Sequence, residues 1–321
     1  MKINRNKFPD NPGPGRLARL FRALVITTLT VLLILAEPLI KGQSIPAKMT
    51  QSIALDATYR IPGKPPVAID TVMWFRNGAV DIGLMMRNLF PGNCNSKYYI
   101  EFHVPKGRTM SFRLPDGSSV HLNADSRLVV RCDFAQHIRE VALVGEGFFD
   151  VTTDANKQFI VHSLKMDVLV LGTSFNINNY PDNHFSQLAV LSGKVLLMSR
   201  ENKSAASPES TVLSAGNCVT IKRQTGDMDT AAFNQEEIMG WRHGHFICNN
   251  KKLDEIGRLI GRVYNKRIAI DNQEKIKNKI SGTFYLNRDI TYFLKDLREN
   301  NPSVYFYRDA QGIFHLGQKD D

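Results

Sequence analysis

From Val104 to Val195 the chain is a series of short runs in which apolar and polar residues alternate, separated by glycine turns. Met110, Phe112 and Leu114 alternate with Ser111 and Arg113, and Val120 and Leu122 flank His121, the period of two expected of half-buried strands. Between these runs stands LPDG. Pro115 presets φ at the first central turn position, Asp116 accepts local backbone hydrogen bonds and Gly117 tolerates the exit geometry, so a hairpin is predicted. Paired runs continue at Val141–Val144, Phe148–Val151, Phe159–Val161, Val168–Leu171, Phe175–Ile177 and Leu188–Leu191, with Ser192-Gly193 turning into Val195–Leu197. NKSAASPES at 202–210 is a polar loop, after which Val212-Leu213 and Cys218–Lys222 supply two last strands. Recurring turn signals from Glu101 predict an all-β domain over 101–233. Sandwich, barrel and short solenoid all suit this periodicity.

Near Trp241 the pattern changes. HFIC reads as a strand, and NNKKLDEIGRLIGRVYNK follows with Leu253, Ile256, Leu259, Ile260 and Val263 at helical spacing. That helix is predicted to turn Lys251, Lys252, Glu255, Arg258 and Arg262 to solvent, with Asn250 as its cap. RIAID and KISGTFYL alternate as strands, Thr291–Leu297 forms a second helix entered from Asp289, and VYFYRD and GIFHL end the chain. The order is β-α-β-β-α-β with a further strand at the end, an α+β sandwich over 240–317. The fold class expected is therefore mainly β with a C-terminal α+β domain.

The N-terminus reads as an address. Residues 1–22 hold six Lys/Arg against Asp10, and ALVITTLTVLLILA follows without a charge. Residues 23–40 are expected to be a single transmembrane anchor, with a cleaved signal peptide as the alternative. Arg22 can snorkel back to the surface, and the basic flank stays in the cytoplasm. The bulk of the chain is then expected in the periplasm, on an inner-membrane, single-pass protein. Residues 41–100 read as linker plus an extra segment, in which VMWFRNGAVDIGLMMRNLF forms either a short helix or an added strand. Arg76, Asp81 and Arg87 argue against a second span.

Charge narrows the partners. The net +10 divides into six basic residues against one acidic over 1–22, 20 against 20 over 23–239, and 15 against 10 over 240–321. Half of the excess precedes an apolar run instead of covering one folded face, which speaks against nucleic acid. No catalytic, cofactor-binding or metal-binding residue is assigned, and no enzyme activity or cofactor is expected. His243 and His245 lack companions at metal-ligand spacing. GTSFN at 172 lacks the second glycine of a nucleophile elbow, and GEGFF at 145 lacks the third glycine of a dinucleotide loop and reads as a bulged or sharply turned strand. Glu140 and Glu146 read as parts of solvated faces. Cys94, Cys132, Cys218 and Cys248 are not in C-x-x-C spacing, so their disulfide state stays open.

Taken together and in order, VPKG, LPDGS-x-V-x-LN, RE-V-x-L-x-GEGFFDV, QFIV and VLGTSFN-x-x-Y resemble the periplasmic domain of FecR-type anti-sigma regulators over roughly 103–223. The W-x-x-G, KLDEI and SGTF motifs resemble the C-terminal domain that accompanies such proteins, similar in layout to the short N-terminal signalling domains of secretins and TonB-dependent receptors. The resemblance implies a membrane-anchored regulator that relays the state of an outer-membrane TonB-dependent transporter, through that transporter's signalling domain, to an extracytoplasmic-function sigma factor. The alternative is a non-signalling periplasmic or surface module that holds a glycan or a protein. The resemblance also implies a helical cytoplasmic segment ahead of the span that grips the sigma factor. Residues 1–22, with two Pro-Gly pairs and no amphipathic period, are expected not to supply it. A start placed too far downstream, a short form completed by another chain and loss of the relay all remain open.

Overall fold

The computed structural model describes residues 58–60, 67–68, 75–76, 78–90, 99–134, 139–164, 166–199, 210–272 and 279–319. The predicted span at 23–40 and the loop at 202–209 lie outside these residues. Among the described residues, no helix is long and apolar enough to cross a membrane.

The chain first lays down β1 (Thr58–Arg60), β2 (Val67–Ala68), β3 (Phe75–Arg76) and β4 (Ala79–Asp81), then helix α1 (Ile82–Leu89). Asp81 caps α1 by accepting from the Leu84 amide at 2.8 Å. The stretch read as either helix or strand therefore supplies both. Next come β5 (Tyr99–Val104), β6 (Met110–Arg113), β7 (Ser119–Leu122), β8 (Ser126–Arg131) and the long β9 (Arg139–Asp150). They are followed by β10 (Phe159–His162), β11 (Met166–Val170), β12 (Ser174–Asn179), β13 (Phe185–Ser192) and β14 (Lys194–Ser199), then β15 (Ser210–Ser214), β16 (Asn217–Lys222) and β17 (Met228–Ala232). The last of these, mostly exposed, was not foreseen.

Strand β9 decides the architecture. Its first half pairs with β8 and β10, and its second half, from Gly145, pairs with β7 and β12. The bend falls at Gly145, where φ is +104° and an added Cβ would lie 2.4 Å from Ser126 Oγ and 2.9 Å from its Cα. Only glycine allows that approach. One sheet accordingly runs β2-β1-β5-β8-β9-β10-β11-β14-β15 and the other β3-β4-β6-β7-β9-β12-β13-β16-β17. Their inner faces share one apolar core. Phe102 meets Phe112 at 5.0 Å and Phe149 meets Phe159 at 6.3 Å, each pair joining the two sheets. Of the three closures open to the sequence, the sandwich is the one formed.

The LPDG hairpin forms as its chemistry demands. Gly117 N–H donates to Leu114 O at 3.0 Å, Leu114 N–H donates to Ser118 O at 2.8 Å, and Gly117 sits at φ +86°. Asp116 then accepts from the Ser118 amide at 2.9 Å and from Arg139 Nη1 at 3.0 Å. Arg139, 1% exposed, also donates to the carbonyls of Thr152, Lys157 and Leu171. One side chain thereby ties the hairpin tip, the start of β9 and two later turns together.

After β17, Asn234 caps an unforeseen short helix, α2 (Gln235–Met239), which runs into a 3-10 turn, Gly240–His243. The C-terminal unit then reads β18 (His245–Lys251), α3 (Leu253–Val263), β19 (Ile268–Ile270), β20 (Ile280–Tyr285), α4 (Ile290–Asn300), β21 (Val304–Arg308) and β22 (Phe314–Gln318). Its strands form two small sheets, β18-β20 and β19-β22-β21, under the two helices. Leu253, Ile256, Ile260, Phe284, Phe293, Leu294, Leu297 and Leu316 make a second core, separate from the first. Asp289 caps α4 through the Thr291 and Tyr292 amides. Asn250 does not cap α3: β18 continues through Lys251, which leaves Asn250 at φ +59° on a bulge with its amide donating to Ser281 Oγ at 2.9 Å, and Lys252 takes the cap position.

Candidate functional site: the joint between the two cores

The turn between β12 and β13 is a rigid seat. Tyr180 is buried and its hydroxyl donates to Ala124 O at 2.6 Å. Arg223 props the turn from one side, donating to Asn179 Oδ1 at 2.6 Å, Tyr180 O at 2.7 Å and Pro181 O at 3.0 Å. From the other side comes Arg262, in the last turn of α3. Its guanidinium lies 3.8 Å from the Tyr180 ring centroid, Nη1 donates to both Asp182 oxygens at 2.8 Å, and Nη2 donates to Asn183 Oδ1 at 3.1 Å. Its carbonyl accepts the Gly107 amide at 2.8 Å. Arg262 was expected on the solvent face of its helix and is instead buried. The reason is tertiary: a flat cation that stacks on Tyr180 and pairs with Asp182 recovers what it loses in hydration.

The other end of α3 is pinned more loosely. Asp254 faces His184 Nε2 at 3.2 Å and accepts from Arg258 at 3.1 Å. Burial pushes the Asp254 carboxyl up, yet Arg258 and His184 outweigh it and hold the group below the usual carboxylate range.

Glu146 lies beneath the joint. It reads as solvated by strand alternation but is buried, because the bend at Gly145 turns it toward Asn123 and Asn176, whose amides donate to it at 2.8 and 3.1 Å. Burial raises its pKa, with the Asn contacts opposing. Together with Asn178, Asn183, Trp241, Phe246 and Arg262, it lines a cavity of about 90 Å³. Glu140, by contrast, accepts from Arg131 at 3.1 Å near the surface.

Family models match this chain twice, as FecR protein over residues 101–196 and as FecR, C-terminal over residues 245–312. The chain belongs to the FecR family. Two crystal structures of a candidate anti-sigma factor from Parabacteroides distasonis resemble this FecR protein at 25% identity. The first, at 1.65 Å resolution, has a TM-score of 0.62 and covers 68% of this chain and 99% of its own. The second, at 2.50 Å, has a TM-score of 0.63 and covers 69% and 100%. No curated protein matches.

Among the described residues, the FecR C-terminal unit leaves sheet edges unpaired. Among the described residues β20 pairs with β18 alone. Tyr285, at the end of β20, and Tyr292, in the first turn of α4, are 57% and 49% exposed, and Arg288 lies 4.1 Å from the Tyr292 ring centroid. Elsewhere in the unit, His243 and His245 stack at 6.0 Å with His245 against Glu236, and the described residues contain no group fit to hold a metal. Cys132 is disulfide-bonded. Cys218 and Cys248 are free and buried, their thiols pushed up to about 11 and about 12 by burial, so neither is a ready nucleophile. Cys94 lies outside the described residues.

Neither Arg262 nor Glu146 stood out in sequence as a joint residue. The usable signal was the short YPDN turn at 180–183, an aromatic and an acid displayed on a rigid corner.

Proposed function

We propose that this FecR-family protein is an anti-sigma-type regulator, anchored in the inner membrane with its bulk in the periplasm. It relays the state of an outer-membrane TonB-dependent transporter to an extracytoplasmic-function sigma factor. The observation that carries the transporter contact is β20, paired among the described residues with β18 alone, with exposed Tyr285, Arg288 and Tyr292 on and after it. An extended partner segment can add a strand there, main-chain hydrogen bonds giving affinity. Exposed Tyr and Arg are the side chains most often found at binding hot spots. The basic excess over 240–321 would speed association with an acidic partner. Support for the regulator class comes from the two FecR matches and from the likeness to the candidate anti-sigma factor.

The test is capture. Full-length tagged protein drawn from its native membrane should retain a transporter signalling domain, and the double variant Tyr285→Ala, Arg288→Glu should lose it. Retention by the variant would move the contact to the sandwich. Topology is checked in parallel: alkaline phosphatase fused after Gln318 should be active, and an inactive fusion would end the periplasmic reading.

A further inference from the structure

The two cores do not merge. Each apolar cluster closes on itself, and among the described residues β18 and α3 meet the sandwich through polar and cation–π contacts, Arg262 on Tyr180, Asp182 and Asn183, His184 on Asp254, and Lys251 5.8 Å from the Phe185 ring centroid, while the 3-10 turn itself rests on the sandwich through Trp241, 5.2 Å from the His121 ring, and Arg242, 4.1 Å from the Phe148 ring. Interfaces of this composition hold units that can separate. The acid partner is accessible: the Asp182 side chain is 56% exposed while that of Arg262 is 9% exposed. Water or a competing cation can therefore reach the carboxylate without prising the units apart. The seat needs no help from Arg262, because Arg223 and the Ala124 carbonyl hold the Tyr180 turn independently. Beyond the Arg262 side chain, α3 is tied to the sandwich by the Gly107–Arg262 backbone bond and by His184–Asp254, whose histidine is half in solvent and which contributes little on its own.

We propose that Arg262 is a latch: its withdrawal from the Tyr180–Asp182–Asn183 seat frees the C-terminal unit to swing on the 3-10 turn Gly240–His243 while both cores stay folded. Short 3-10 turns are frequent connectors between elements, and this one links the sandwich to the C-terminal unit. The proposal is mechanical. It would give the regulator reading a moving part, and it stands whether or not a sigma factor is the output.

One backbone bond reports the latch directly, the Gly107 amide donated to the Arg262 carbonyl across the joint at 2.8 Å. Hydrogen exchange on the purified full-length chain should find Gly107 exchanging at least about tenfold faster in Arg262→Ala than in wild type, since 1.4 kcal/mol of lost closure is already a factor of ten. Phe149 and Leu294, one amide in each core, should keep their protection. Arg262→Lys keeps the charge without the planar stack or the fork, and should fall between the two. Unchanged protection at Gly107 in Arg262→Ala would overturn the latch. Equal loss at Phe149 and Leu294 would overturn it too, by making Arg262 a general folding residue.

Discussion

Two arginines are buried among the described residues, and the company they keep separates the two regions of the molecule. Arg139 lies inside the sandwich against Asp116, whose side chain is 9% exposed, and three backbone carbonyls also accept from its Nη atoms. Arg262 lies between the sandwich and the C-terminal unit against Asp182, whose side chain is 56% exposed. The chemistry is the same and the dielectric differs. A charge pair sealed from water strongly penalises loss of one partner, whereas a pair open on one side is screened and exchanges readily with solvent. The sandwich clasp therefore specifies a fold, and the joint clasp holds a position.

Breaking that contrast at its strong end should give the largest effect. Arg139→Ala leaves Asp116 and the Thr152, Lys157 and Leu171 carbonyls without their shared donor. The expected cost is about 3–5 kcal/mol of stability, read from the urea midpoint. Arg262→Ala in the same assay should cost no more than about 1–2 kcal/mol, a partly exposed ion pair plus a cation–π contact. Equal costs would abolish the distinction.

Gly145→Ala tests the sandwich from its backbone. Its φ of +104° and the 2.9 Å approach to Ser126 Cα leave no room for a methyl group. Strain and overpacking together should cost about 2–4 kcal/mol. Hydrogen exchange should show protection lost along β9 and kept at Leu294 in the C-terminal unit, because the two cores are separate. Loss spread evenly through both would show them to be one cooperative block.

Much of this is legible in the amino-acid sequence. The alternation around LPDG and the unusual GEGFF encode local backbone chemistry, and Gly117 and Gly145 sit where those motifs place them. The element order of the C-terminal unit and the Asp289 cap were legible for the same reason. What period could not carry is partnership over distance. Arg262 follows the polar rule of its helix and Glu146 the alternation of its strand, yet each is claimed by residues about 80 or 30 positions away, Asp182 and Asn176. Asn250 failed more locally, since a bulge kept β18 going past the residue that looked like a cap.

Glu146 sharpens the comparison from beneath the joint. With its pKa raised in the folded chain, the native state holds a proton that the unfolded chain releases above its ordinary value of 4.5. Stability should therefore fall as pH rises from that value until the folded group ionises. Glu146→Gln should flatten this part of the profile. An unchanged slope would mean that Asn123 and Asn176 keep the carboxylate charged after all.

The smallest effect sets one histidine of each region against the other. His121 in the sandwich is driven down to about 4 by burial and by Arg242, so it stays neutral. His315, in the C-terminal unit, is raised instead by its hydrogen bond to Asp271 at 2.8 Å and then by Asp309 at 3.3 Å, with Tyr307 stacked at 4.6 Å. The signs follow from linkage. A lowered histidine contributes stability that is complete above 6.5 and is lost as pH falls toward its folded value. A raised one contributes stability that is complete below 6.5 and is lost as pH rises through its folded value. Crossing pH 6.5 should therefore weaken the sandwich on the acid side and the C-terminal unit on the alkaline side, as an imidazole NMR titration of the full chain can resolve. Asp271→Asn should bring His315 back toward 6.5 and leave His121 where it is. A His315 that titrates at its ordinary value in the wild type would show that Asp271 and Asp309 do not hold it in solution.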